Sequence, residues 1–108
     1  MTLLEFLSPH LENYFNFKIE KTSFRLQINI RVESSELNEC LLLSITKIHK
    51  SNEISVYLRD QSPFGSDCYI LNRFVISNNS IRYEESISDN SEFSKFKDLV
   101  KQYVALNS

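Results

Sequence analysis

The sequence has few of the residues that build catalytic and cofactor-binding loops. Its one glycine, Gly65, is too few for the phosphate-binding loops of nucleotide-binding proteins, which need several glycines in one turn. Its two histidines, His10 and His49, have no metal-ligand spacing to a cysteine or to each other. A net charge of −2 also gives no concentrated basic field for nucleic acid. We therefore expect no enzyme, no metal, no cofactor and no nucleic acid.

Cysteines and long apolar runs are scarce as well. Cys40 and Cys68 begin the second and fourth predicted strands, about 9.6 Å apart across an intervening strand, which is too far for a disulfide. No apolar run approaches the roughly 20 residues of a membrane span. Glu5 interrupts the apolar N-terminus, which lacks the basic stretch of a secretory signal. These features predict free thiols, no membrane association and a cytoplasmic protein.

What the sequence does contain predicts a single α+β domain over residues 1–108. The chain is 42% hydrophobic and includes eight Phe and five Tyr, which suffices for a firm core. Alternating apolar and polar residues predict five strands, at residues 24–33, 40–49, 53–60, 68–77 and 81–87. Their connections are too short for parallel crossovers, so the predicted sheet is antiparallel and mostly a meander. Phe17 and Ile19 are out of phase with the first strand, which predicts a bulge or a small turn near residues 20–23.

Helices are predicted on both sides of the strands in the chain. Thr2 and Glu5 have the spacing of a capping box, and apolar residues follow with a helical period. Pro9 interrupts this N-terminal helix, which is expected to be kinked or split there. Asp89 and Glu92 have the same capping-box spacing and predict the start of the C-terminal helix. Together the two helices are wide enough to cover one face of the sheet.

Acidic residues concentrate in three stretches that contain no lysine or arginine. These stretches comprise Glu33, Glu36 and Glu39; Asp60 and Asp67; and Glu84, Glu85, Asp89 and Glu92. They lie at or beside the ends of alternate predicted strands, and alternate strands of an antiparallel sheet end on the same side. The sequence thus predicts an acidic end and, around Lys47, His49 and Lys50, a mildly basic opposite end. Charges that only keep the turns soluble are the alternative explanation.

The face of the sheet away from the helices is predicted to carry an apolar group. Leu42, Tyr57, Leu71 and Val75 would lie there, on the inner strands. A contiguous apolar group on a sheet face needs an explanation. We consider three: a helix that crosses over it, a groove for a partner, and a weak homodimer formed by an otherwise monomeric protein.

The acidic end predicts a protein-binding module whose partner is another protein, basic in charge. Its sharper form is an immunity-type inhibitor that covers a basic, nuclease-like toxin. The candidate partner-binding residues are Glu33, Glu36, Glu39, Phe64, Asp67, Tyr83, Glu84, Glu85 and Asp89. The carboxylates would steer the encounter, and Tyr83 and Phe64 are candidate anchors because aromatic residues dominate interface energies. Packing within its own loop is the alternative role for Phe64.

The order of the predicted elements also resembles that of class I type III secretion chaperones. That family consists of small acidic proteins built as a helix, three strands, a helix, two strands and a helix. The resemblance covers most of the chain, rests on element order and involves no sequence motif. It implies a dimer that binds an extended segment of an effector protein. Residues 61–67, with Pro63 and Gly65, stand where that family has its middle helix.

Overall fold

The chain folds as a helix, an antiparallel sheet and a second helix. A computed structural model describes residues 1–14, 16–34, 40–61 and 68–107. In chain order the elements are α1 (Leu3–Leu11), β1 (Phe17–Lys21), β2 (Arg25–Ser34), β3 (Cys40–Ile48), β4 (Glu53–Gln61), β5 (Cys68–Ser77), β6 (Ser80–Ser86) and α2 (Ser91–Leu106). Strands that follow one another in the chain are neighbours in the sheet, and each neighbouring pair is antiparallel. The predicted α+β meander is confirmed.

The sheet has six strands rather than the predicted five, because residues 17–21 form a strand of their own. β1 pairs with β2, so that Ile19 lies opposite Ile28. The Oγ1 atom of Thr22 accepts hydrogen bonds from the backbone N–H groups of Phe24 and Arg25, each at 3.1 Å, and closes the turn between the strands. The phase change at Phe17 and Ile19 therefore marks a hairpin and not a bulge in one strand.

The core lies between one face of the sheet and the two helices. Period-two alternation places one set of strand residues toward the helices, and this set is fully buried. It comprises Ile28, Ile30, Leu43, Ile45, Val56, Leu58 and Phe74. The helices contribute Leu3, Leu7, Leu11, Phe93, Phe96, Leu99, Val100 and Val104 to the same cluster. As predicted, both helices cover one face of the sheet, and the opposite face carries neither of them.

α1 is a single helix that continues through Pro9, so the predicted split does not occur. Pro9 lies in the last turn, where a missing N–H removes only one hydrogen bond before the helix ends at Leu11. The predicted capping residue Thr2 is the N-cap. Its Oγ1 accepts from the Glu5 backbone N–H at 3.1 Å and also lies 3.0 Å from Glu5 Oε1. The Glu5 carboxylate therefore contacts the Thr2 hydroxyl.

The predicted capping box at the start of α2 is wrong by one residue. Asn90, not Asp89, is the N-cap, and its Oδ1 accepts from the Phe93 backbone N–H at 2.9 Å. Asparagine and aspartate cap equally well, so residue type alone does not place the cap. In the first turn of α2, the Glu92 carboxylate accepts a hydrogen bond from the Tyr14 hydroxyl. This bond ties the segment before β1 to the first turn of α2.

Tyr14 is expected to make the protein less stable at alkaline pH. Burial raises the pKa of Tyr14, and the hydrogen bond and negative charge of Glu92 raise it further. In the unfolded chain a tyrosine has a pKa of about 10. The folded state thus holds the Tyr14 proton more tightly than the unfolded chain does. The resulting stabilisation is complete below about pH 10 and is lost as the pH rises through the raised pKa of Tyr14 in the folded state.

Unfolding curves of the Tyr14→Phe variant across the alkaline range check this expectation. The free energy of unfolding should fall less steeply above about pH 10 in Tyr14→Phe than in the natural protein. Tyr69→Phe is the matched control, because Tyr69 is 63% exposed. Equal alkaline slopes in the natural protein and in Tyr14→Phe would show that the Tyr14 proton does not contribute.

Candidate functional site

The strand directions bring the ends of β2, β4 and β6 to the same end of the sheet. Glu33 on β2 pairs with Leu41 on β3, and Leu41 pairs with Asp60 on β4, so these residues share one cross-strand row. Asp89 follows β6 at this end, before the N-cap of α2. We call Glu33, Asp60 and Asp89 the acidic end. Four other predicted binding residues, Glu36, Glu39, Phe64 and Asp67, lie outside the described residues.

Two of the predicted carboxylates lie further inward, on β6, and are engaged within the protein. Glu84 is opposite Phe74, on the side of the helices, and its Oε1 accepts from Lys97 Nζ at 2.8 Å. Glu85 is opposite Arg73, on the other side, and accepts a hydrogen bond from the Tyr83 hydroxyl. The two neighbours therefore point to opposite faces, as strand alternation requires. Their charges border the edge of the sheet rather than its end.

β6 is an edge strand that is exposed along its whole length. Its apolar residues include Ile81, 47% exposed, and Tyr83, 43% exposed, and Ile87 directly after it is 67% exposed. We call Ile81, Tyr83, Glu84, Glu85 and Ile87 the β6 edge. Sequence reasoning singled out Tyr83 and the two glutamates but missed the isoleucines. Strand alternation includes both isoleucines, but it cannot tell a central strand, where they would be buried, from an edge strand, where they are exposed.

Tyr83 is held in place from two sides. Its hydroxyl donates to the Glu85 carboxylate, and the guanidinium of Arg73 lies 4.8 Å from its ring centroid. The hydrogen bond to Glu85 and the charge of that carboxylate raise the pKa of Tyr83, whereas Arg73 lowers it by a smaller effect. Tyr83 therefore stays a neutral donor at physiological pH. Its ring is oriented before any partner arrives.

On the sheet face away from the helices, which we call the open face, strand pairing places Leu42, Tyr57 and Val75 as predicted, but not Leu71. A register shift between Leu58 and Arg59 leaves one extra residue in β5, so that Ile70, not Leu71, lies opposite Arg59. Leu71 instead packs against the core, and Val75 is 3% exposed. A bulge changes which side a residue faces, and this one removes Leu71 from the open face.

Arginine and tyrosine side chains dominate the middle of the open face. One cross-strand row runs from Asn29 through Ser44, Tyr57 and Arg73 to Glu85. The guanidinium carbons of Arg59 and Arg73 lie 5.7 Å and 5.3 Å from the centroid of the Tyr57 ring. Tyr57 is thus flanked by two cations, and the open face is basic at its centre.

The end of the sheet opposite the acidic end is mildly basic, in line with its predicted charge. Lys21, Lys47 and His49 line a pocket of about 300 Å³ together with Tyr103 and the first residues of the chain. Lys47 Nζ donates to the Ser51 carbonyl at 3.3 Å, and a His49 ring nitrogen lies 2.9 Å from the Thr22 carbonyl oxygen. These contacts tie the Lys47 and His49 side chains to turns.

Neither a metal centre nor a membrane span is found in the part of the chain that the structure describes. Within residues 1–14, 16–34, 40–61 and 68–107, no group of three or more His, Cys, Asp or Glu could hold a metal ion. No helix in those ranges is long and apolar enough to cross a membrane. Comparison of the chain with protein-family models, with curated proteins and with solved structures found no match.

Proposed function

We propose that this chain is a non-catalytic protein-binding module, an immunity-type inhibitor that covers a basic, nuclease-like toxin with its β6 edge and acidic end. The observation that carries the proposal is the composition of the β6 edge. Ile81, Tyr83 and Ile87 are all more than 40% exposed there, beside Glu84 and Glu85. Arg82 of the same strand is exposed as well, so the charges beside these apolar residues are mixed, with two carboxylates against one cation. An apolar group within a polar rim is typical of a protein interface.

Tyr83 suits the role of the central anchor. Aromatic residues carry a large share of interface energy where they become fully desolvated. Ordering a mobile side chain on binding costs about 0.5–1.5 kcal/mol. Because Arg73 and Glu85 already hold the Tyr83 ring, that cost is reduced. The free edge of β6 also offers backbone N–H and C=O groups to which a partner strand can add.

The carboxylates would set the rate of association and would select the partner by its charge. Glu85 and Asp89 are exposed, and in the described part of the chain neither is in a salt bridge. Complementary charges raise association rates by about 10- to 1,000-fold at low salt. A basic toxin would therefore be attracted, and an acidic protein repelled, by the same edge.

No observation on the described residues favours the secretion chaperone as a second function. The helix after the third strand of that family has no counterpart within residues 16–34, 40–61 and 68–90, where strand follows strand. A homodimer through the open face would bring together two faces that each carry an excess of basic residues, Arg59 and Arg73 among them. We therefore propose a monomer, which a sizing measurement tests.

Reversing two charges near the β6 edge is expected to weaken partner binding strongly. We expect the double variant Glu85→Lys/Asp89→Lys to bind about 10- to 100-fold more weakly, because both lost attractions become repulsions. The measurement is affinity capture of basic proteins from the source cells at low salt, followed by calorimetric titration of the captured protein. Binding by the natural protein should also weaken as the salt concentration rises.

The control is Glu53→Lys, which reverses one charge, where the double variant reverses two, at the basic end of the sheet, where Glu53 begins β4 and is exposed. Its affinity should stay within about twofold of the natural protein. Equal losses in Glu53→Lys and in the double variant would contradict a binding role for the β6 edge. An affinity that does not change with salt would contradict the role of the charges.

A further inference from the structure

We propose that the open face is a second binding surface, and that it takes an acidic polypeptide segment across Arg31, Arg59 and Arg73. This inference goes beyond the function proposed above, because it assigns a partner of opposite charge to a surface that adjoins the β6 edge at Arg73, Tyr83 and Glu85. It does not depend on the β6 edge binding anything. Three observations support it: charge that is only partly neutralised, buried donors without acceptors, and a shallow depression beside Arg31.

The positive charge of the open face is only partly neutralised within the described residues. Strand alternation places five basic residues and three acidic residues on this face. The basic residues are Lys18, Arg25, Arg31, Arg59 and Arg73, and the acidic residues are Glu20, Glu53 and Glu85. Lys18 is already paired with Glu20 at 3.2 Å. Among the side chains that the structure describes, no salt bridge involves any of the arginines. The centre of this face is therefore a cluster in which three arginines, Arg31, Arg59 and Arg73, outnumber the one carboxylate beside them, Glu85, in a chain of net charge −2.

The two arginines beside Tyr57 also have unused hydrogen-bond donors. The Nε atoms of Arg59 and Arg73 are buried and have no hydrogen-bond partner. A buried donor without an acceptor is unfavourable, and stacking on the Tyr57 ring does not replace the missing bond. A carboxylate binds a guanidinium through two parallel N–H···O bonds. After a small rotation of either side chain off the ring, an incoming carboxylate would satisfy Nε and a terminal nitrogen together.

A shallow, open depression of about 420 Å³ extends this cluster toward β1. It is lined by Asn16, Phe17, Lys18, Asn29, Arg31 and Leu42. Leu42 lies between Arg31 and Arg59 in one cross-strand row, so an apolar contact separates the two cations. From β2 to β5 is three strand spacings, or about 14 Å, which four to five extended residues span. A segment with an apolar residue between acidic ones fits this arrangement.

Polypeptide is favoured over nucleic acid as the source of the negative charge. Single strands are bound by stacking bases on free aromatic rings. Here guanidinium groups lie within 6 Å of both the Tyr57 and Tyr83 rings. A compact cluster of arginines with an apolar contact between them matches spaced carboxylates better than a continuous chain of phosphates.

The test uses the full chain and three short, labelled probes followed by fluorescence anisotropy. The probes are a peptide of glutamates with interspersed leucines, the same peptide with lysines in place of the glutamates, and a single-stranded oligonucleotide of equal charge to the first. We expect the acidic peptide to bind best. The double variant Arg59→Glu/Arg73→Glu should bind it at least about 10-fold more weakly.

A matched control and a direct readout keep the test decisive. Lys21→Glu/Lys101→Glu makes the same change of charge at two exposed residues that are not on the open face, and should lose less than about twofold in affinity. In the natural protein, the NMR signals of the Arg59 and Arg73 Nε–H groups should shift when the acidic peptide is added. Tighter binding of the oligonucleotide, equal losses in both double variants, or unmoved Nε–H signals would each overturn the proposal.

Discussion

The Phe96→Ala variant is expected to lose about 3–5 kcal/mol of the free energy of unfolding, the range for a large aromatic side chain removed from a core. Phe96 is fully buried on α2, within the cluster that joins both helices to the sheet. Its ring centroid also lies 5.7 Å from that of Tyr14, in a tilted contact. Alanine would leave a cavity in the layer between α2 and the sheet. Chemical denaturation followed by circular dichroism measures the loss.

Phe24→Ala is the matched control for this substitution. The same atoms are removed, but Phe24 is 77% exposed in the turn between β1 and β2. The free energy of unfolding should change by no more than about 0.5 kcal/mol. If the two variants lost similar amounts, Phe96 would not lie in the core described here. The slope of the unfolding free energy against denaturant should be unchanged in both.

Asn72 is the site of the second large effect, because it is the buried polar residue that holds the exit from β6. Its Nδ2 donates to the Ser88 carbonyl, and its Oδ1 accepts from both the backbone N–H and the hydroxyl of Ser88, all at 3.0 Å. Asn72 is 1% exposed on the core side of β5. We expect Asn72→Ala to cost about 1–3 kcal/mol, since it leaves the Ser88 backbone groups without these partners.

Ser88→Ala gives the graded comparison. This variant removes only the hydroxyl bond and keeps both backbone bonds to Asn72, so its loss should be clearly smaller than that of Asn72→Ala. Amide hydrogen exchange should accelerate around residues 86–90 in Asn72→Ala, because this segment would open locally. A loss in Ser88→Ala that equals or exceeds the loss in Asn72→Ala would show that the buried amide does not hold this segment.

Much of the architecture could be predicted from local patterns. Alternation over residues 24–33 identified the strand that buries Ile28 and Ile30, and short connections predicted the antiparallel meander. Asn78 and Asn79 form the expected two-residue turn between β5 and β6, with Asn78 at a φ of 55°. These features depend on residues that are neighbours in the chain, so they could be predicted from the sequence.

The errors fall where a partner distant in the chain makes the decision. Leu71 leaves the open face because β4 and β5 pair with a register shift beside Arg59. Asn90 caps α2 in place of Asp89, while Glu92 bonds to Tyr14 rather than completing a capping box. A local pattern predicts neither the register between two strands nor a contact between residues that lie 78 positions apart in the sequence.

The acidic stretches show the same division. By itself the sequence determined that the ends of alternate strands share one end of the sheet, because an antiparallel meander follows from short connections alone. Only the tertiary structure decided that β6 is an exposed edge, that Glu84 is bound by Lys97, and that arginines gather around Tyr57 on the open face. The physical reason is that strand direction is a property of consecutive elements. Edge position, ion pairing and clustering are set by lateral neighbours, which the folded sheet brings together.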